Sequence, residues 1–248
     1  MMEKLEIDIN CDVGEGLGNE AKLFPYISSC NLACGAHAGN DKTMRDVITL
    51  ALAHHVSIGA HPSYPDRENF GRKSIEMSPE DFSESILSQI AKLDAILAEH
   101  KVALSHIKAH GALYNDLAKN RSLAKQYLKI LQPYKSRTSL FVPYGSVIAE
   151  EAERSDFHCI YEAFGDRNYN EDLSLVSRTS EIALLTDPSE VLKHLLLMIR
   201  KSSVKTITGR LIPIVANTYC IHGDTSSAYE ILMYLSEEFP KHNIHLKK

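Results

Sequence analysis

The chain has 248 residues, 44% of them hydrophobic, and a formal net charge of −5. That is enough apolar material for one substantial core, and the acidic balance argues against phosphate backbones or anionic membranes as partners. The opening Met1-Met2-Glu3-Lys4-Leu5-Glu6 has no signal-like apolar run, and no later stretch reaches membrane-spanning length. The 5 cysteines sit mostly inside apolar runs, so a cytoplasmic protein with reduced thiols is expected.

Strand-like and helix-like segments alternate along the chain. Ile7 to Asp12 predicts a strand, and Asn31 to His37 a second one. A helix opened by Asn40-Asp41 follows, with Met44, Val47, Ile48, Ala51 and Leu52 on one face. Val56 to His61 predicts the third strand, and a donor-rich loop runs from Pro62 to Ser74. Ser78-Pro79-Glu80-Asp81 has the form of a helix start, and Phe82, Ile86, Ile90, Leu93 and Leu97 line the buried face beyond it. His106 to His110 predicts a strand, followed by one helix to about Leu131, before Pro133. Leu140–Val142 and His158–Phe164 are further strands, with a helix from Ser146 between them. Asp187-Pro188-Ser189-Glu190 opens an apolar helix, Ile212 to Ile221 is the last strand, and a final helix follows Asp224.

Some seven β-then-α units, with no linker or repeat between them, predict a single domain over 1–248. Side chains on a strand alternate between two faces. Asp8, Asn10 and Asp12 share one parity; so do His106, Lys108 and His110, while His61 and His37 end stripes of small residues. An open, doubly wound sheet buries both faces in apolar residues, whereas a polar inner face suits a closed barrel. The expected fold is therefore a seven-stranded, distorted (β/α) barrel with its chemistry at the C-terminal strand ends.

Asp12, His37, His61, His110 and His222-Gly223-Asp224 all fall at those ends. Taken singly, each histidine suits a hydrogen-bonded structural role; several at equivalent ends point to a shared site. Two chemistries fit. One carboxylate and two imidazoles (Asp12, His37 and His61) would hold a divalent ion with open positions. Without a metal, Asp and His would act as general base and acid. Lys108, inside the barrel, would hold a substrate anion or form a structural ion pair with Asp8 or Asp12. Arg67 and Arg72 on the third-strand loop suit carboxylate or phosphate capture, with a solvated charge cluster as the alternative. Asp166-Arg167 and Arg178 have the same ambiguity. Gly14-Glu15-Gly16-Leu17-Gly18 does not match a dinucleotide fingerprint, and no phosphate-loop motif occurs.

The segments Asp8–Glu15, Asn31–Gly39, Ile58–Arg72 and His106–Asn115 resemble the LamB/YcsF family. Phe164–Tyr169, Ser174–Arg178 and Cys220–Asp224 extend the resemblance in order over nearly the whole chain. The family supplies one component of a bacterial 5-oxoprolinase, beside two other subunits, B and C. The resemblance implies a barrel related to glycoside hydrolases and deacetylases, and ATP-dependent opening of 5-oxo-L-proline to L-glutamate. Ala109, Gly165, Asn168 and Ser177 depart from the usual pattern and bear on backbone stiffness more than on chemistry. With no phosphate loop here, ATP is expected to bind mainly on the partners. Asp12 with His61 or His110 is then expected to act as base and acid, and Lys108 and Arg67 to hold the substrate's carboxylate or phosphorylated oxygen. Asn10, Glu15, His37, Arg72, Asp166, Arg167, His222 and Asp224 would complete the site. Two rivals remain: a stand-alone metal-dependent amide hydrolase, and a non-catalytic lactam-binding subunit.

Overall fold

The computed structural model describes residues 4–225 and 227–248. In chain order the elements are β1 (Leu5–Val13), α1 (Glu20–Leu23), β2 (Ser29–Ala33), α2 (Asp41–Ala53), β3 (Ser57–His61), α3 (Pro79–Glu99), β4 (His106–Ile107) and α4 (Gly111–Leu117). They continue with α5 (Arg121–Ile130), β5 (Ser139–Pro143), α6 (Val147–Arg154), β6 (Cys159–Phe164), α7 (Pro188–Lys201), β7 (Ser203–Lys205), β8 (Leu211–Pro213), β9 (Thr218–Cys220), α8 (Ala228–Glu238) and β10 (Ile244–Leu246). Strands β1 to β6 pair in parallel in sequence order, and β9 pairs with both β6 and β1. That second pairing closes the sheet into the expected seven-stranded barrel. β10 adds a short parallel pairing at the start of β1, and β7 and β8 form a separate antiparallel hairpin.

The alternation seen in the sequence sets the two layers. Ile7, Ile9 and Cys11 take the parity opposite to the polar stripe and are buried in one apolar cluster that also holds Met44, Val47, Ile48 and Ala51 of α2 and Ile86, Ile90 and Leu93 of α3. Helix starts follow from capping: Asn40 accepts from Thr43 N, Ser78 from Asp81 N, Ser146 from Ala149 N, and Asp187 from Ser189 and Glu190 N.

Several features differ from the sequence expectation. The strand expected over His106 to His110 ends at Ile107, because His110 already caps α4 and the chain from Lys108 leads into that helix. β2 stops at Ala33 because the chain turns at Gly35, whose φ is +99°, so His37 sits on a loop. The single helix expected up to Leu131 is two, since Asn120 accepts from Leu123 N and starts α5 afresh. The last strand is divided: β8 belongs to the outer hairpin, and only β9 enters the barrel. Leu52, placed on the buried face of α2, is 42% exposed.

Candidate active site at the barrel mouth

Inside the barrel, Asp12 of β1 lies in register with Asn31 of β2, and Asn31 with Gly59 of β3, which is itself in register with His106 of β4. This layer builds the floor. Asn31 Nδ2 donates to Asn10 Oδ1 (2.7 Å) and Asp12 Oδ1 (2.8 Å), while Asn31 Oδ1 lies 2.8 Å from His106 Nε2. Asn10 is fully buried and also donates to Thr218. It is spent on this network beneath the mouth.

Lys108, 2% exposed, stands one position above the floor. Its Nζ donates to Asp12 Oδ1 at 2.9 Å and lies 2.9 Å from Glu162 Oε1. A buried ammonium without counter-charge would cost several kcal/mol. Burial acts to lower the Lys108 pKa, but the charges of Asp12, Cys220 and Glu162 outweigh it, and the amine is held well above its ordinary value. Of the two expected partners, Asp12 is thus found, whereas Asp8 accepts from Ser29 and Thr218 instead. Glu162 was not singled out in the sequence, although its place between Tyr161 and Ala163 in an apolar strand was the available signal.

Above Lys108 the histidines converge. His61 Nδ1 donates to the Lys108 carbonyl (2.8 Å), and its Nε2 lies 3.4 Å from Asp12 Oδ2 and 3.0 Å from His110 Nδ1. His110 Nε2 donates to the Phe70 carbonyl at 2.9 Å, and its Nδ1 lies 3.4 Å from Glu15 Oε1. His37 stacks on His110 with centroids 3.7 Å apart, and its Nε2 lies 3.3 Å from Glu15. Gly71, at φ +61°, lets the third-strand loop pass against this stack, where a Cβ would approach His110 and His37 at 3.0 and 3.1 Å.

Burial sets the protonation states. It drives His37 and His110 well below the ordinary imidazole pKa, and neighbouring histidines add to the effect. Burial, then the Asp12 charge, raises the Glu15 carboxyl to about 7. Asp12 goes the other way: burial acts to raise it, but His61 and Lys108 hold it well below the carboxylate range.

On the opposite wall, His222 Nδ1 lies 2.9 Å from Asp166 Oδ1, and Asp166 Oδ2 also accepts from His222 N and Thr225 Oγ1. Burial acts to raise the Asp166 pKa, and His222 more than offsets it. The His222 ring stacks on Phe164 and shares a three-residue cluster with Asp12 and Cys220.

These groups open into a cavity of about 620 Å³ lined by Asp12, Glu15, His61, Lys108, His110 and His222, with Arg72, Arg167, Arg178 and Asp224 toward the rim. A narrower arm of about 140 Å³ continues past Tyr114 and Phe164 to Glu162. Arg72 and Arg178 both pair with Asp224 and tie three loops across the mouth. Arg167 spends its donors on the carbonyls of Val176 and Ala183. Arg67 lies elsewhere: it donates to the carbonyls of Gly35 and Gly39 and faces a separate groove behind Glu15 and His37.

Fold and site together define a parallel (β/α) barrel with a buried cluster of acids, bases and one ammonium at its C-terminal strand ends, the end at which such barrels carry their chemistry. Asp12, Glu15, His61 and His110 each offer a donor atom within 4.8 Å of the others, a set that fits a metal ion. The chain belongs to the LamB/YcsF family, whose model matches residues 7–248. It is 36% identical over 244 residues to the 5-oxoprolinase A subunit of Bacillus cereus (strain 03BB102), covering 96% of each chain. The protein of the same name from Bacillus anthracis (strain A0248) is 36% identical over 243 residues, again with 96% coverage of both. The crystal structure of a lactam utilization protein from Thermus thermophilus superposes with a TM-score of 0.91 at 32% identity, covering 98% of this chain and 99% of that one. Among the described residues, no helix is long and apolar enough to cross a membrane.

Proposed function

We propose that this chain is the lactam-opening component of an ATP-dependent 5-oxoprolinase, working with two partner subunits that bind ATP and activate the ring. Its substrate is 5-oxo-L-proline or the activated form of it, and the product is L-glutamate. The carrying observation is the convergence of Asp12, His61, His110 and His222 with Lys108 on one cavity, in a chain so similar to proteins named as the A subunit of 5-oxoprolinase.

Hydrolysis needs a polarised carbonyl, an activated water and a proton for the leaving nitrogen. Asp12 and His61 face the cavity as acceptors on one side, where a water can be oriented and deprotonated. His222, held by Asp166, stands on the other side and supplies the proton to the ring nitrogen as the C–N bond breaks. Lys108 is committed to Asp12 and Glu162, so it sets the charge of the floor. Capture of the substrate's anionic group falls to Arg72 and Arg178, by exchange with Asp224. Arg67, tied to two backbone carbonyls, is a positioning residue for the loops behind the site.

The test is co-expression with the two candidate partner subunits and measurement of glutamate released from 5-oxoproline. Release that needs both ATP and this chain is the expected result. Equal release by the partners alone would overturn the reading and leave this chain a binding component.

A further inference from the structure

The proton positions at the mouth leave four acceptors facing one another. A carbonyl only accepts, so the Lys108 carbonyl fixes a proton on His61 Nδ1 and the Phe70 carbonyl fixes one on His110 Nε2. In the neutral rings the inward nitrogens, His61 Nε2 and His110 Nδ1, are therefore lone pairs, and they lie 3.0 Å apart. Asp12 Oδ2 is 3.4 Å from the first, and Glu15 Oε1 is 3.4 Å from the second. The other oxygen of Asp12 is already taken by Lys108 and Asn31. His37 is oriented in the same way: Ser63 Oγ donates to the Tyr64 carbonyl, so His37 Nδ1 donates to Ser63 and its Nε2 lone pair faces Glu15. One shared proton relieves one such contact and leaves the rest opposed.

We propose that Asp12, Glu15, His61 and His110 bind a divalent transition-metal ion at the barrel mouth. The spacing supports it. Ligands 2.0–2.1 Å from a tetrahedral ion stand about 3.3 Å apart, against the 3.0, 3.4 and 3.4 Å observed along this chain of donors. Both imidazoles are oriented from behind by backbone carbonyls, the support that metal-bound histidines need. Charge supports it too, because the buried Lys108 ammonium pairs with Asp12 and Glu162, while the buried Glu15 carboxyl meets the His37 and His110 imidazoles instead. Two nitrogens and two carboxylate oxygens suit zinc, cobalt, manganese or iron(II) better than magnesium or calcium. The set differs from the one expected from sequence: Glu15 and His110 join Asp12 and His61, while His37 braces Glu15 from outside. With Asp12 and His61 as ligands, such an ion would take over the activation of water from them, which needs a fifth position on the cavity side beyond the four protein donors.

The cluster would hold this ion whether or not the substrate is a lactam. The experiment is metal analysis of the purified full chain, then titration of the chelator-treated chain with Zn²⁺ and Co²⁺. One ion per chain, a raised Tm and tetrahedral cobalt absorption bands are expected. Glu15→Gln and His110→Asn should each weaken binding about tenfold or more, while His37→Asn retains the stoichiometry. Absence of saturable binding, or unchanged affinity in folded Glu15→Gln and His110→Asn, would overturn it. Metal binding without ring opening would sustain this site and sink the lactam reading; ring opening by a chain that shows no saturable metal binding would do the reverse.

Discussion

Gly59 leaves room for an imidazole. A Cβ there would overlap the His106 ring, which is stacked 3.9 Å from Phe141 and bonded to Asn31. The ring has nowhere to go, so Gly59→Ala is expected to cost about 1–3 kcal/mol by overpacking, visible as a lower urea midpoint. An unchanged midpoint would show that the layer is loosely packed. His106 is itself buried neutral: burial first, then the Lys108 charge, lowers its pKa to about 3. In the unfolded chain a histidine takes up its proton near the ordinary value of 6.5. The stabilising contribution is therefore complete above that pH and is lost as pH falls toward about 3. His37 and His110 act in the same direction. Glu15 acts oppositely, losing stability as pH rises from 4.5 through about 7. Three imidazoles outweigh one carboxyl, so the Tm of metal-stripped protein should fall with acidification below about 6.5. A flat Tm from there to about pH 5 would contradict the buried neutral assignment. Much of this was legible in alternation: Asp12, His61 and His106 share the inner parity of their strands, and Lys108 keeps that parity just beyond the end of β4. Glu162 was not, because a lone acid among Ile160, Ala163 and Phe164 shows no partner until β6 is brought opposite Lys108. Nor could the sequence reveal which ring nitrogens carry protons, since the carbonyls of Phe70 and Lys108 decide that.

At the scale of elements, the loop after β3 is the main scaffold of the site, anchored on its mouth side by His110 on the Phe70 carbonyl and by the Arg72–Asp224 pair. Gln89 of α3 clamps Ser63 through both backbone groups, at 2.9 Å each, and Arg67 ties the same loop to Gly35 and Gly39. Arg67→Ala should release residues 34–40 and 62–74 together, seen as faster proteolysis there and slower turnover with the barrel's Tm little changed. Proteolysis at the wild-type rate would show that other contacts hold the loop. The elements misread from sequence have one cause. Leu113, Leu117, Ala124 and Leu128 keep helical spacing across the break at Asn120, and apolar runs continue from β8 into β9. Periodicity reports which side faces the core, and it is blind to a cap or a turn that interrupts an element without changing that side.

For the whole molecule, closure is what makes the site. The pairing of β9 with β1 brings Cys220 and the His222 loop, from near the end of the chain, against residues 8–12 at its beginning. Parity alone implied a closed barrel; it could not show that Arg67 would face a different groove from Arg72. The most direct measurement on the central claim, that this mouth is a hydrolytic centre, is glutamate release by the Asp12→Asn variant assembled with its partners and ATP. Asp12 meets Lys108, Asn31 and His61 at once. A loss of about 100-fold or more in turnover is expected, with assembly retained and a lowered Tm, because Lys108 keeps Glu162 alone as its carboxylate partner. Wild-type turnover by that variant would contradict the account and move the chemistry out of this barrel.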